Sequence, residues 1–571
     1  MRFKIIRLVI YIFFVIIAVE LFYVQVIRGR HYHRLSTNNR IRVVPLEGWR
    51  GRILDRNGVV LADNRRSFDV LITPQEIQDW EALVKYLSNV LNIESKELIK
   101  KYQQRKSAAF APVVIAEDIP REKAIIIEEN KFRFPSLFIQ EHYQRVYPLG
   151  RNSAHVVGYV GKISRSKIEQ FKEYGLSAQS TVGYLGVEEY YDAFLKGEPG
   201  GVQIEVNSRG QQVRLLSLRE PTKGQDIAVT IDTRIQEVIQ GVLQGRTGAI
   251  VIMDMDNGEI LGMTSMPDFD PNHFVDQDYR KQLNQLMRDS RSPMVNRAVK
   301  SAYPPGSVFK IPVAIAALDK KKITQYTTFD CPGFMEIGGI RFGDTCTMGS
   351  QNLIEAITHS CNVYFYHLGL MLGPEMLAYY AELFGLGKPT HIDLPYEELG
   401  HIPTPRMKIL KHRERWYKGD TVNTSIGQGY VLTTPLQLVR MVATVARNGY
   451  EVQPHVIQSI NGQAVDKYAF QKQIYISDQI FDTVKKGLRA SVSEFSGTAH
   501  TLDINGLFVA GKTGTAQTVK GKEHHAWFAG YAQGKNRNIA FCIFLEHGGS
   551  SHNATLVGNE MLLQMQQEQL L

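Results

Sequence analysis

Residues 5 to 27, IIRLVIYIFFVIIAVELFYVQVI, form an apolar run that as a helix would extend about 34 Å at 1.5 Å per residue, enough to cross a bilayer core. A run of this kind ties the rest of the chain to a membrane. Its uncharged centre, Leu8 to Val19, is only 12 residues long, a length that also suits a cleaved signal peptide or a buried helix. An uncleaved anchor is the better reading, because no Ala-x-Ala-like small residues follow and Phe22 and Tyr23 stand where interfacial aromatics belong. Arg7 can snorkel to the headgroups, while Glu20 must lie near the far interface or face a partner helix. Basic residues do not orient the segment, since Arg2, Lys4 and Arg7 on one flank are matched by Arg28, Arg30 and Arg34 on the other. Residues 1–4 read as a cytoplasmic tail and residues 5–27 as a single-pass anchor, with the large remainder exported.

That remainder is too long for one ordinary core. At 571 residues the chain predicts two or three domains. Hydrophobic residues at 44% and charged ones at 22% exclude both disorder and a many-span membrane protein. The net charge of +9 is modest for the length, and Lys and Arg are scattered among acids without interleaved aromatics, so no nucleic acid partner is expected. Four cysteines, Cys331, Cys346, Cys361 and Cys542, are too few for a disulfide scaffold.

In RVVPLEGWRGRILDRNGVVLADN, residues 42–64, Asn57-Gly58 predicts a tight turn between strands. Residues 65 to about 225 mix short strands with helical stretches such as WEALVKYLSNVLNI and hold no cluster suggesting chemistry, so residues 28–225 read as a pedestal. The polar segment REPTKGQD, 219–226, marks its end, and residues 226–571 form the second domain. There GAIVIMDMDNGEILGMTS sets Asn257-Gly258 between two apolar strands, and HHAWFAGYA and KNRNIAFCIFLEHG predict further strands near the C-terminus. Helical patterns lie between, in IPVAIAALDK, EMLAYYAELFGLG and PLQLVRMVATVARNG. The expected class is α/β: an N-terminal transmembrane helix, a mixed α+β pedestal, and an antiparallel sheet packed against a helical cluster.

The candidate chemistry starts at YPPGSVFK, 303–310. Ser307 and Lys310, three apart on a helix start, place a hydroxyl and an amine on one face about one turn apart. Free N–H groups there offer partial positive charge to a developing oxyanion, and burial or a neighbouring cation would lower the lysine pKa enough to make it a base. The bland alternative is a serine N-cap beside a surface lysine, and about two S-x-x-K matches are expected by chance in such a chain. Ser164 and Lys167 are such a match, set in the pedestal without a Pro-Pro-Gly approach. Two further elements follow in order. Ser360-Cys361-Asn362 supplies a hydroxyl to relay a proton and an amide to hold substrate or lysine, although S-x-N also occurs at Ser36 and Ser350. Lys512-Thr513-Gly514-Thr515 closes an apolar strand, where an edge could pair with a peptide and the lysine and threonines could attract a carboxylate; K-T-G is expected by chance only about 0.1 to 0.2 times per chain.

S-x-x-K, S-x-N and K-T-G in this order resemble the signature set of penicillin-binding proteins and serine β-lactamases. RGRILDRNG (50–58), YPLGRNSAHVVGYVG (147–161), GVEEYYDAFLKGEPG (186–200), NRAVKSAYPPGSVFK (296–310), IGQGYVLTTPLQL (426–438) and HAWFAGYA (525–532) extend the likeness to class B, monofunctional penicillin-binding proteins. ERWYKGDTVNTSIGQGY (414–430) and CPGFMEIGGIRFGDTC (331–346) most resemble the elongation branch, penicillin-binding protein 2. The resemblance implies a D,D-transpeptidase of the cell wall, inhibited by β-lactams, in the bacterial cytoplasmic membrane. Ser307 would be the nucleophile and Lys310 its base, Ser360 would carry the proton to the leaving amine, and Asn362 would orient the chain. Lys512, Thr513, Gly514 and Thr515 would bind the substrate's terminal carboxylate, with the N–H groups of Ser307 and Thr515 as oxyanion hole. The implied partners are peptidoglycan stem peptides, β-lactams, the membrane, a RodA-like glycosyltransferase met through the anchor and pedestal, and other elongation-complex proteins.

Catalysis of this kind needs no cofactor. The resemblance also implies a second reading: some members of this branch hold zinc near the site with Cys or Asp residues and a His, and Cys331, Cys346 and Cys361 occupy such places, with Asp344 or His359 able to complete a tetrahedral set. TMGSQNL after Cys346 departs from the family pattern in lacking Gly-His-Gly, and a disulfide or free thiols remain the alternative in an exported domain. His524 and His525 read as surface or packing residues. Rival functions are a hydrolytic β-lactamase or D,D-carboxypeptidase, and a β-lactam sensor. The class A deacylation pattern E-x-x-x-N does not occur between Ser360 and Lys512, and a sensor usually needs more spans and an output domain.

Overall fold

The computed structural model describes residues 2–30, 32, 41–46, 48–106, 112–163, 181–206, 212–275, 280–344, 346–468, 472–519 and 521–571. Its first helix, α1 (Arg2–Phe22), continues as a π-helical turn, Tyr23–Ile27. Residues 3–27 make the one helix among the described residues that is long and apolar enough to cross a membrane. The chain otherwise divides into two compact units, the first from residues 1–51, 64–144 and 196–224, the second from residues 52–63, 145–195 and 225–571.

In the first unit, strands Ile41–Leu46, Gly200–Val206 and Gln212–Arg219 form an antiparallel sheet. A helix, Trp80–Leu91, starts where the Asp79 carboxylate accepts from the Ala82 N–H at 3.0 Å and ends at Asn92 in the left-handed region. Its buried Leu83, Leu87 and Leu91 pack with Leu98, Ile115 and Ile127 as the unit's own core.

The second unit is built on a five-stranded antiparallel sheet. Strands β1 (Gly248–Asp254) and β2 (Ile260–Met266) form a hairpin over Asn257-Gly258, with Gly258 at φ +85°. The helices that follow include α2 (Lys310–Asp319), α3 (Leu353–Thr358), α4 (Asn362–Leu372), α5 (Pro405–His412), α6 (Lys418–Ser425), α7 (Pro435–Ala446) and α8 (Asp478–Ser493), with a further helix, Pro374–Leu383, formed by the EMLAYYAEL pattern. The chain then returns to the sheet with β3 (Phe508–Ala516), β4 (His525–Gln533) and β5 (Asn538–Leu545), and ends in α9 (Ser551–Gln567). Strand order is β2-β1-β5-β4-β3, so strands from the two sequence ends pair centrally, with Val251 opposite Cys542, and β3 is an edge.

Period-two alternation explains how both faces are covered. Ile250 and Ile252 of β1 pack with Ile239 of the helix Thr233–Leu243 and with Val557 and Met561 of α9. Ala249, Val251 and Met253 turn the other way, into the core that holds Val439 of α7, Ile315 of α2 and Leu488 of α8. With helices on both sides, the strands read as nearly continuous apolar runs. The Asn57-Gly58 turn is also present: Asp55 Oδ1 accepts from the N–H groups of Asn57 and Val59, each at 2.8 Å, and Gly58 has φ +85°. Expectation and structure thus agree on the mixed α/β class, the apolar N-terminal helix and the sheet drawn from both ends of residues 226–571.

Candidate active site

Ser307 sits in a single 3₁₀ turn, Gly306–Phe309, that runs straight into α2 at Lys310. Two glycines let this turn touch its neighbours. Gly306 has φ +55°, and a Cβ there would stand 2.7 Å from the Thr515 carbonyl oxygen; a Cβ on Gly514 would stand 2.6 Å from that of Pro305. The Gly306 N–H donates to Gly427 O at 3.1 Å, and Gln428 Nε2 donates to Thr515 O at 3.1 Å. The serine turn, the edge strand β3 and the loop after α6 therefore meet backbone to backbone.

Lys310 is fully buried at this meeting point. Its Nζ donates to Ser360 O and Asn362 Oδ1, both at 2.7 Å, and lies 3.3 Å from Ser360 Oγ. The amine thus lies within hydrogen-bond reach of Ser360 and Asn362 rather than of Ser307, whose half-buried hydroxyl makes no hydrogen bond among the described residues. Burial pushes the Lys310 pKa down to about 7 against the opposing pull of Asp344 and Cys346. Lys512 is also fully buried, and burial together with the Lys310 charge holds it well below the usual lysine range. Its Nζ lies 3.3 Å from Thr513 O. Ser360 occupies the left-handed region at φ +59°, an unusual conformation for serine that turns the chain from α3 into α4 and puts Asn362 at the first position of α4.

The structure brings Ser307, Lys310, Ser360 and Asn362 together with Gly514 and Thr515. Three residues at this site went unassigned in the sequence. Gln428 buttresses Thr515; Thr498 accepts from the Thr513 hydroxyl at 2.9 Å; and the Ser551 N–H, at the start of α9, donates to Thr515 Oγ1 at 3.2 Å. Gln428 alone had a signal, lying within IGQGY. Beside Thr515 a depression of about 390 Å³ is lined by Lys522, Glu523, His524, Gly549 and Ser550.

Other expectations sort as follows. Ser350 and Asn352 are no second site: Asn352 caps α3, its side chain accepting from the Glu355 N–H at 3.1 Å while Glu355 accepts from the Asn352 N–H at 2.8 Å. Ser36, Ser164 and Lys167 lie outside the described residues. His525 is a packing residue, stacked on His547 with ring centres 4.9 Å apart and kept neutral by burial, which lowers its pKa to about 4. Cys331 and Cys361 are joined by a disulfide, and Cys346 is a free buried thiol whose pKa burial raises. Asp344 accepts from the N–H groups of Cys346 at 3.1 Å and Val363 at 2.9 Å, while both His359 ring nitrogens are engaged, by Gln351 at 2.7 Å and Ser496 at 3.1 Å. As placed, these side chains do not present a metal site: among the described residues no three His, Cys, Asp or Glu side chains are grouped to hold an ion.

Comparison with known proteins gives this geometry a family. The model for the penicillin binding protein transpeptidase domain matches residues 248–563, and that for the penicillin-binding protein dimerisation domain matches residues 45–229. A peptidoglycan D,D-transpeptidase MrdA of Haemophilus influenzae is 31% identical over 96% of this chain and 88% of its own. Among solved structures, penicillin-binding protein 2 of Helicobacter pylori, in a complex with MreC, is 28% identical with TM-score 0.82, covering 93% of this chain and 99% of that one. A component of a peptidoglycan synthase complex that coordinates polymerization and crosslinking is 30% identical with TM-score 0.74, covering 99% of this chain and 98% of that one. On its domain order, its motifs and these likenesses, the chain belongs to the class B penicillin-binding proteins, on the penicillin-binding protein 2 branch.

Proposed function

We propose that this chain is a peptidoglycan D,D-transpeptidase that cross-links stem peptides through an acyl-enzyme on Ser307. The observation that carries the reading is the buried Lys310 amine, poised near neutrality one turn from an unengaged serine hydroxyl and held by Ser360 and Asn362.

In the first half-reaction neutral Lys310 takes the Ser307 proton as Oγ attacks the carbonyl of the penultimate D-Ala. The N–H groups of Ser307 and Thr515 receive the oxyanion. Collapse breaks the D-Ala–D-Ala amide, and the departing nitrogen takes a proton by way of Ser360. The edge of β3 offers the donor peptide a strand to pair with, and Lys512, Thr513 and the Thr515 hydroxyl attract its terminal carboxylate. In the second half-reaction an acceptor amine attacks the ester, forms the cross-link amide and returns a proton to Ser307. A β-lactam, mimicking the D-Ala–D-Ala end, would leave Ser307 blocked. The relatives' names support this reading over a sensor, a carboxypeptidase or a β-lactamase.

These steps need no cofactor. A structural zinc is a second reading for Cys331, Cys346 and Cys361, favoured by burial of all three side chains. It requires the Cys331–Cys361 bond to be reduced. Metal analysis of protein purified with a thiol reductant, beside thiol counting of protein purified without one, separates the states: one zinc per chain supports the metal, and no zinc with two of the four thiols blocked supports the disulfide.

The anchor would hold the enzyme in the cytoplasmic membrane with its catalytic unit outside, beside a RodA-like glycosyltransferase and other elongation proteins. The MreC complex of the Helicobacter relative supports that setting. Intact-mass analysis with penicillin tests the core of the proposal. A lasting adduct on Ser307, absent in Ser307→Ala, is expected; its absence in folded protein would refute the nucleophile.

A further inference from the structure

A basic lip borders the site on the side of the loop that follows α6. The segment from α5 into α6, PRMKILKHRERWYKGD, 405–420, carries exposed Arg406, Lys411, Arg413, Arg415 and Lys418. None of these five has an acidic partner within 4.0 Å among the described residues. The two acids of the segment are both spent on the buried Lys408, Asp420 at 2.8 Å and Glu414 at 3.5 Å. With six cations against two acids the segment carries a net charge of +4, and its five exposed cations face solvent on a platform fixed from within.

That platform is joined to the reacting groups by direct contacts. His412 stacks on Tyr430 with ring centres 4.6 Å apart, and Lys408 Nζ lies 5.9 Å from the same ring. Tyr430 ends the short loop in which Gln428 holds Thr515 and Gly427 accepts from Gly306. A ligand on the lip thus approaches the acyl-enzyme along the Tyr430 loop.

We infer that this lip is the binding surface for the acceptor strand, recognising the free carboxylates of the stem peptide whose amine resolves the acyl-enzyme. The inference rests on the transpeptidase reading and names the second substrate's site. Charge complementarity selects the occupant. The donor's terminal carboxylate is already provided for by Lys512 and the threonines, which leaves the exposed cations of the lip to the incoming strand's own carboxylates. Each exposed charge pair contributes about twofold in affinity, so four together amount to about tenfold or more. In the resolving step the acceptor nitrogen bonds to the ester carbon, the carbon–Oγ bond breaks, and the amine proton passes to Ser307.

The test uses the full-length protein in detergent, a D-Ala–D-Ala donor peptide, and an acceptor tripeptide in the lysine or diaminopimelate form that the protein accepts. Donor and acceptor are each supplied with carboxylates free or amidated away from the reacting groups. The expected result is a KM about tenfold lower for the free-carboxylate acceptor than for its amide, with the gap closing between about 0.05 and about 0.5 M salt. The gap also closes in the variant K411Q/R413Q/R415Q/K418Q, with penicillin acylation of Ser307 in the same samples measuring the competent fraction. Equal KM values for the two acceptors in the wild type would overturn the inference, and this arm needs no variant. So would a variant that keeps the gap, or charge dependence confined to the donor. Turnover with no acceptor at all would instead refute the transpeptidase reading.

Discussion

Burial takes the Lys310 side chain out of water, and two oxygens at 2.7 Å, Ser360 O and Asn362 Oδ1, accept from its amine. A neutral amine has two N–H bonds to give, so these two acceptors suit the unprotonated form. Desolvation works in the same direction, bringing the pKa to about 7. Because the base is the neutral form, its fraction grows as pH rises through that value. Acylation of Ser307 by penicillin is therefore expected to rise about tenfold between about pH 6 and about pH 8 and then level. Stopped-flow acylation rates across this range check it; a profile flat through neutrality would remove Lys310 as base. Lys310→Arg keeps the positive charge and cannot deprotonate, so acylation should fall by about a thousandfold at about pH 8 and lose its rise through neutrality. The S-x-x-K spacing made this pair legible in the sequence, but not that the amine turns to Ser360 and Asn362, which lie some fifty residues further along the chain.

At the scale of elements, α9 and β3 show how a helix end can set a side chain. The first N–H groups of a helix have no intrahelical partner, and that of Ser551 is spent on Thr515 Oγ1 at 3.2 Å. With its oxygen accepting there, the Thr515 hydroxyl keeps its own hydrogen for a substrate carboxylate. Proline removes this donor with little disturbance: Ser550 is the N-cap, Ser551 is the first helical position, and Ser550 already has the extended φ −97° and ψ 148° that a residue before proline prefers. Ser551→Pro should therefore leave thermal unfolding within a few degrees of wild type and slow acylation by carboxylate-bearing penicillins about five- to tenfold, the value of one modest hydrogen bond. Ser551→Ala keeps the N–H and should retain the wild-type rate. Equal slowing in both variants would assign the effect to the side chain instead. K-T-G at the end of an apolar run announced the strand, but nothing in GGSSHNATL announced that its helix start would reach Thr515. A backbone donor carries no residue signature, and the two positions are 36 apart in sequence.

At the scale of the molecule, the second unit is assembled from three separated stretches, 52–63, 145–195 and 225–571. Apolar alternation shows that a strand exists but not which core receives it, so the destination of the two shorter stretches was not legible. Their contribution is substantial. Ile53, Val156, Val157, Val187 and Leu195 are each at most 2% exposed within the unit's main core. Polar contacts accompany them: Asp55 Oδ2 accepts from Thr233 Oγ1 at 2.7 Å, the Arg145–Glu188 ion pair is buried with Nε to Oε1 at 2.7 Å, and the Tyr191 hydroxyl donates to Asp393 at 2.7 Å. Burying five such aliphatic side chains is worth roughly 8–15 kcal/mol, about the whole net stability of an ordinary domain, roughly 5–15 kcal/mol. Losing them would also strand Asp393 and Thr233 without these partners. A fragment comprising residues 226–571, although it holds every residue of the proposed catalytic set, is therefore expected not to unfold cooperatively and not to be acylated by penicillin. The chain from residue 28 onward should do both. Calorimetry and intact-mass analysis of the two proteins decide the matter, and a fragment that unfolds cooperatively near the longer protein's Tm would show that the two short stretches rest on a core complete without them.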